Sequence, residues 1–157
     1  FGAVQSPFNA YLSLVGLETL PQRVSQQVVS AQRIAEHLTS APHVTKVNYS
    51  GLGYTPQYEL VGKYFPRGVG QILSFQVDGG ADSVRRIIDG TKLFSYVPNI
   101  GDARSLIVDP ARITHREVPA EARIAAGVSD NLIRLSIGLE DVNDLIADLD
   151  QAIAAAY

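Results

Sequence analysis

Five short stretches of the sequence are typical of β-strands, with helical stretches between them. The predicted strands are Val44–Tyr49, Gln71–Val77, Leu93–Val97, Ser105–Val108 and Leu132–Ile137. Connections after the third strand are too short for the crossovers of about a dozen residues that join parallel neighbours. The order therefore predicts an α+β fold, a two-layer sandwich with a mostly antiparallel sheet and helices on one face.

Capping residues mark the predicted helices. Ser6 before Pro7 predicts an N-cap and a first helical turn, because proline lacks the N–H that this position leaves unbonded. Pro21 either ends that helix or opens a second one, capped by Thr19 with Gln22 as its capping-box partner. The other predicted helical stretches are one that continues to Ser40, Ala81–Asp89 closed by Gly90 at C′, Pro119–Gly127 and Glu140–Ala155.

Composition excludes several classes of function. A chain of 157 residues with 46% hydrophobic residues is the size of one domain. Its net charge of -3, with both signs interspersed, gives no basic surface for nucleic acid or membranes. The absence of cysteine excludes disulfides, thiol nucleophiles and thiolate zinc sites. No apolar run approaches the roughly 18 residues that span a bilayer, so we expect a soluble, cytoplasmic protein.

The chain contains none of the motifs that usually mark a catalytic centre. It has no glycine-rich phosphate loop, no HExxH, no serine nucleophile elbow and no metal-ligand cluster. None of its three lysines, Lys46, Lys63 and Lys92, lies in a context that favours Schiff-base chemistry. The chain also begins at Phe1 and lacks methionine, so we expect it to be part of a longer protein.

Arg134 is the strongest candidate for ligand binding. Alternation over Leu132–Ile137 places Ile133, Leu135 and Ile137 on one face of a strand and Arg134 on the other. A guanidinium on a rigid strand suits a carboxylate or a phosphate, because its planar fork donates two parallel hydrogen bonds. The alternative interpretation is a solvated arginine on the open face of the sheet.

Other polar residues lie in loops. Asn99 and Asp102 occupy a turn between two predicted strands, where they could cap the turn or point into a site. His115 follows Thr114 in a loop and is interpreted as a surface or capping histidine. The connection Ser50–Gly70 is long, irregular and rich in glycine and proline, which is typical of a segment for function or contacts.

Four stretches together resemble one family, the pyridoxal-phosphate enzymes of cysteine and methionine metabolism. This family includes cystathionine synthases and lyases and the O-acetylhomoserine sulfhydrylases. The stretches, in the order and spacing of the family, are SPFNAYLSLVGLETLPQRV (6–24), VNYSGL (47–52), NIGDARSLIVDPARITH (99–115) and LIRLSIGLED (132–141).

The resemblance implies that residues 1–157 are a C-terminal substrate-carboxylate-binding domain, about the last third of the enzyme, with the small-domain fold of aspartate aminotransferase. The domain that holds pyridoxal 5′-phosphate, with its Schiff-base lysine, would lie upstream. The fragment alone is then expected to hold no cofactor and to be inactive. Arg134 would grip the substrate α-carboxylate, assisted by Asn99 and by the main chain of Pro98.

Two features of the resemblance favour the sulfhydrylase branch. Relatives that handle cystathionine often carry an acidic residue at the position of Pro98, and the pattern NIGDARSL resembles the sulfhydrylases. The expected activity of the full enzyme is that of a homotetrameric O-acetylhomoserine aminocarboxypropyltransferase, making homocysteine from O-acetylhomoserine and sulfide in methionine biosynthesis. The alternatives are a cystathionine γ-synthase or γ-lyase and a non-enzymatic amino-acid-binding module. The resemblance does not distinguish an acetyl from a succinyl leaving group on the substrate.

Overall fold

The chain is organised around one five-stranded sheet. The computed structural model describes residues 2–56 and 58–157. Its strands are β1 Val44–Asn48, β2 Ile72–Val77, β3 Ser95–Tyr96, β4 Leu106–Val108 and β5 Leu132–Ser136. They lie in the order β1-β2-β5-β4-β3, and β1–β2, β2–β5 and β5–β4 pair antiparallel. The predicted α+β sandwich with a mostly antiparallel sheet is confirmed.

One pair of strands departs from the prediction. β3 and β4 are parallel, although only residues 97–105 connect them and that connection contains no helix. The expectation that every connection after the third strand is too short for a parallel pair is therefore wrong. Both strands are very short, and an irregular loop returns over β5 on the open face of the sheet, where the Gly101 N–H donates to Ser136 Oγ.

The described α-helices agree with the predicted ones in number and order, apart from one extra short α-helix in the long connection, which follows a 3-10 helix at Tyr58–Leu60. They are α1 Pro7–Glu18, α2 Leu20–Leu38, α3 Val61–Tyr64, α4 Gly80–Gly90, α5 Ala120–Ala125 and α6 Val142–Ala155. Within the described residues, no helix combines the length and the hydropathy that crossing a bilayer requires.

The predicted caps are partly right. Ser6 caps α1, since its hydroxyl accepts from the Asn9 N–H at 3.2 Å. Thr19 precedes α2 as expected, but its side chain makes no cap hydrogen bond, so the predicted capping box with Gln22 is wrong. The Thr19 hydroxyl instead accepts from the Arg23 guanidinium one turn later. The Thr19 hydroxyl is thus bonded to the Arg23 side chain and does not cap a backbone N–H of α2.

Gly90 is the last residue of α4 and not its C′ residue. A Cβ on Gly90 would lie 3.4 Å from Ala152 Cα. The glycine therefore serves the close packing of α4 against α6 rather than a left-handed helix end. Thr91 follows the helix, and its hydroxyl donates to the Ile88 carbonyl at 2.8 Å.

The hydrophobic core lies between the sheet and helices α2, α4 and α6. Alternate residues of β1, β2 and β5 point into it, and α2, α4 and α6 cover them. The largest fully buried side chains are Phe75, Ile34, Leu38, Leu73, Ile87, Leu106, Ile107, Ile133, Leu135, Ile137, Leu145 and Leu149. The opposite face of β5 carries Arg134, as the alternation predicts.

Tyr49 ties together the two ends of the long connection. Its side chain is 4% exposed, and its hydroxyl donates to the Gly70 carbonyl at 2.9 Å. Burial, and secondarily the negative charge of Glu36, raises the pKa of Tyr49 to about 12. The phenol thus stays protonated in the fold at pH values where a tyrosine in an unfolded chain ionises.

We expect Leu135→Ala to lower the free energy of unfolding by about 2–5 kcal/mol, because it leaves a cavity beneath the central strand. Leu135 is 0% exposed, whereas Leu14 in α1 is 61% exposed. The matched variant Leu14→Ala should change the stability by less than about 0.5 kcal/mol. Urea unfolding of both variants measures the difference, and equal losses would contradict the assignment of the core.

We expect the stability of the fold to decrease between about pH 10 and about pH 12, in part through Tyr49. Because the pKa of Tyr49 is higher in the fold, the unfolded chain loses this proton first, and stability falls as pH rises through that window. Tyr49→Phe should make the decrease smaller. Urea unfolding at several pH values tests this, and an unchanged pH dependence would count against it.

Candidate functional site

Arg134 lies at the middle of the sheet on its open face. β5 runs between β2 and β4, and Arg134 is paired with Ser74 on one side and with Val108 on the other. The side chain is half-buried. Its Nη2 donates to the Asn99 carbonyl at 3.3 Å, which connects the strand to the loop above it.

The guanidinium of Arg134 has one buried donor without an acceptor. Nε of Arg134 has no hydrogen-bond partner, and among the described residues no other buried side-chain nitrogen or oxygen is left in this way. Burial lowers the pKa of Arg134 from its usual value. An unsatisfied buried donor on a cation costs free energy, and a bound anion with two oxygens would supply the missing acceptor.

Residues 98–102 form the loop that covers Arg134, and they are called the 98–102 loop below. Three contacts hold this loop in place. The Asn99 carbonyl accepts from Arg134, the Gly101 N–H donates to Ser136 Oγ at 3.2 Å, and the Asp102 carbonyl accepts from Gln27 Nε2 at 2.8 Å. Gly101 adopts a φ of 77°, a conformation that favours glycine.

The structure therefore brings Asn99 to Arg134 and places Pro98 next to that contact. Asn99 touches Arg134 through its main-chain carbonyl, while its side chain is exposed. Pro98 is exposed as well. The roles of Asn99 and Pro98 in carboxylate binding stay predictions.

Asp102 serves the turn rather than the site. Its carboxylate accepts from the Arg104 N–H at 3.0 Å and from the Arg104 guanidinium at 3.1 Å. The hydrogen bonds from Arg104 lower the pKa of Asp102. His115 is half-buried, and its Nδ1 lies 2.8 Å from the Thr114 hydroxyl. Asp102 is thus a turn residue, and the contact of His115 is with its neighbour Thr114 in the loop.

A row of polar side chains that the sequence did not reveal crosses the open face. Asn48 on β1, Ser74 on β2 and Arg134 on β5 are neighbours across the strands, and Asn48 Nδ2 donates to Ser74 Oγ at 3.2 Å. Asn48 also borders a surface cavity of about 670 Å³ beneath the long connection. The pairing register creates this row, and alternation within a single strand could not have shown it.

The three lysines of the chain lie at its surface. Lys46, Lys63 and Lys92 are all exposed, and Lys46 borders the same cavity as Asn48. In the described part of the chain, no group of three metal-ligating side chains comes together. The chemistry that this face offers is the binding of an anion by Arg134.

The family model for Cys/Met metabolism PLP-dependent enzymes matches residues 1–154. The chain belongs to this family. It is 42% identical to the O-acetyl-L-homoserine sulfhydrylase of Leptospira meyeri, an alignment that covers 97% of this chain and 35% of that protein. It is also 42% identical to the cystathionine gamma-lyase of Saccharomyces cerevisiae, with 99% of this chain and 40% of the lyase aligned.

Solved structures of this family share the fold. A Campylobacter jejuni protein assigned as an O-acetylhomoserine (thiol)-lyase superimposes with a TM-score of 0.91 at 42% identity, over 98% of this chain and 36% of that one. Its structure contains a pyridoxyl-lysine phosphate. The family is pyridoxal-phosphate-dependent, and the chain spans little more than a third of the length of the relatives that it matches.

We expect Arg134→Met to leave the stability of the fold unchanged or to raise it by up to about 1 kcal/mol, because it removes an unsatisfied buried donor. The matched variant is Arg123→Met. Arg123 is 8% exposed, and both of its terminal nitrogens are hydrogen-bonded, to the Val128 carbonyl at 2.7 Å and to Asp130 at 2.8 Å. Arg123→Met should lower the free energy of unfolding by about 1–3 kcal/mol. Chemical denaturation compares the two, and a larger loss at Arg134 would show that this residue is structural.

Proposed function

We propose that residues 1–157 are the substrate-carboxylate-binding domain of a pyridoxal-phosphate-dependent γ-replacement enzyme. The proposed reaction makes homocysteine from O-acetylhomoserine and sulfide, which is the activity of an O-acetylhomoserine sulfhydrylase in methionine biosynthesis. The observation that carries the proposal is the buried Nε of Arg134, which lacks an acceptor. Membership of the family supplies the substrate class, an amino acid.

The geometry of Arg134 supports a carboxylate as the ligand. Nε and Nη2 form the side edge of a guanidinium and can donate to the two oxygens of one carboxylate. β5 is held between two neighbouring strands, and Nη2 already contacts the Asn99 carbonyl, so the fork is fixed before a ligand arrives. In the proposal, Asn99 and the main chain of Pro98 complete the carboxylate site.

In the proposed reaction, this domain would orient the substrate. Pyridoxal phosphate, when bound, supplies an electron sink for the reaction, and we place its Schiff-base lysine in the upstream part of the protein. Arg134 fixes the carboxylate end of the substrate, and this restricts the direction in which the amino group and side chain point. The isolated fragment is then expected to be inactive.

The choice of sulfide as the nucleophile rests on the charges around the 98–102 loop. Pro98 carries no charge, and the carboxylate of Asp102 is engaged by Arg104. Neither residue offers a free carboxylate for the distal ammonium of an amino-acid thiol, which favours a small nucleophile such as sulfide. The similarity to a cystathionine gamma-lyase supports the alternative, a cystathionine γ-synthase or γ-lyase of the same family. Tetrameric assembly and a cytoplasmic location stay predictions.

We expect Arg134→Lys in the full-length enzyme to lower kcat/KM for O-acetylhomoserine by about 30- to 1,000-fold, because lysine keeps the charge but loses the fork. The KM for sulfide should stay unchanged. Arg116→Lys is the matched control, since its side chain is 71% exposed and, within residues 2–56 and 58–157, forms an ion pair only with Glu117. Steady-state homocysteine formation measures both variants. An unchanged kcat/KM in Arg134→Lys would refute the carboxylate site.

The nucleophile is tested separately with the unmodified full-length enzyme. We expect homocysteine from sulfide to form with a higher kcat/KM than cystathionine from cysteine, for the charge reason given above. A preference for cysteine, or cleavage of cystathionine, would favour the alternative enzyme. The isolated 157-residue chain should show neither cofactor absorbance nor homocysteine formation.

A further inference from the structure

Gln27 connects helix α2 to the 98–102 loop. Its side chain is 3% exposed, although Gln27 shares the inward face of α2 with apolar residues such as Ile34. A buried primary amide costs free energy unless it is hydrogen-bonded. Gln27 Nε2 donates to the Asp102 carbonyl at 2.8 Å, across 75 positions of sequence. This buried amide therefore serves the loop over Arg134.

The contact from Gln27 fixes one end of the 98–102 loop. The Asn99 end is held by Arg134 and the middle by Ser136, both on β5, whereas the Asp102 end is held by a different element, α2. Next to Asp102, the Ala103 carbonyl accepts from the Leu139 N–H at 2.8 Å, which anchors the chain just beyond the loop. Gln27 adds a contact from a packed helix, and this contact determines where the Asp102 carbonyl lies relative to the sheet.

We propose that Gln27 is a positioning residue for the carboxylate site. By holding the Asp102 carbonyl, it keeps the Asn99 carbonyl against Nη2 of Arg134, and so it fixes the direction of the guanidinium before the ligand binds. This inference rests on the proposed function of Arg134. Gln27 itself touches neither the guanidinium nor the ligand.

The bond from Gln27 reaches the main chain of Asp102, so the donor is what matters. Gln27→Met keeps the approximate size of the side chain and removes the donor. Gln27→Glu keeps the shape but places a carboxylate against a carbonyl, which is repulsive. Gln27→His retains a ring N–H that can donate. We therefore expect Gln27→Glu and Gln27→Met to weaken ligand binding strongly and Gln27→His to weaken it little.

The test uses the full-length enzyme and L-norvaline, an amino acid without a leaving group. We expect Gln27→Met to raise the Kd for L-norvaline about 10-fold, which corresponds to about 1.4 kcal/mol. The KM for O-acetylhomoserine should rise in parallel, with kcat changed by less than about 2-fold. Hydrogen exchange should speed up at the Gly101 amide, whose bond to Ser136 weakens when the loop lifts.

Gln26 provides the matched control. It is the same residue type one position earlier in α2, it is exposed, and among the residues that the structure describes its amide bonds only to Ser30 Oγ, at 3.4 Å. Gln26→Met should leave the Kd, the KM and the exchange of Gly101 unchanged. If Gln27→Met folds poorly, Gln27→His and Gln27→Glu give the same comparison, since they differ in whether a donor remains.

The outcomes separate this inference from the proposed function. If Arg134→Met abolishes L-norvaline binding but Gln27→Met and Gln27→Glu behave like Gln26→Met, the positioning role is overturned while the carboxylate site stands. If Gln27→Met lowers only the thermal stability and leaves Kd and Gly101 exchange unchanged, Gln27 is a structural residue and the inference fails. If Arg134→Met leaves binding intact, the proposed function itself is wrong.

Discussion

The pairing of β5 between β2 and β4 is the constraint on which the rest of the structure depends. Ile133 and Leu135 point into the core beneath α2, α4 and α6, and this burial determines the register of the strand. A slip of one residue would turn Arg134 into the core and its apolar neighbours out to the open face, at a cost of many kcal/mol. The apolar layer thus positions the charged group on the other side of the same strand.

The sequence predicted those parts of the fold that depend on local patterns. Alternation around Arg134 assigned the two faces of β5, and Ser6 with Pro7 marked the beginning of α1, because side-chain period and capping act over a few residues. Gly90 was misinterpreted since its reason is the approach of α6, which a local pattern does not contain. The parallel pairing of β3 and β4 was missed for the same kind of reason.

The candidate site was predictable in its central residue and not in its surroundings. Arg134 could be found from alternation and from the family motif. The contact of its guanidinium is with the main chain of Asn99, and the loop is further held by Gln27, far away in sequence. Every residue has a main-chain carbonyl, so a hydrogen bond to this group does not restrict which residue type accepts it. Only the folded arrangement shows such bonds.

The strand order has a consequence for how the protein is made. β2 and β4 are both complete in the first 108 residues, but they are not neighbours in the sheet, because β5 lies between them. Until residues 132–136 leave the ribosome, each of these strands presents an unpaired edge to other nascent chains. The sheet can close only after β5 has been made, and the same pairing positions Arg134, so we expect a chain that terminates before β5 to be prone to aggregation.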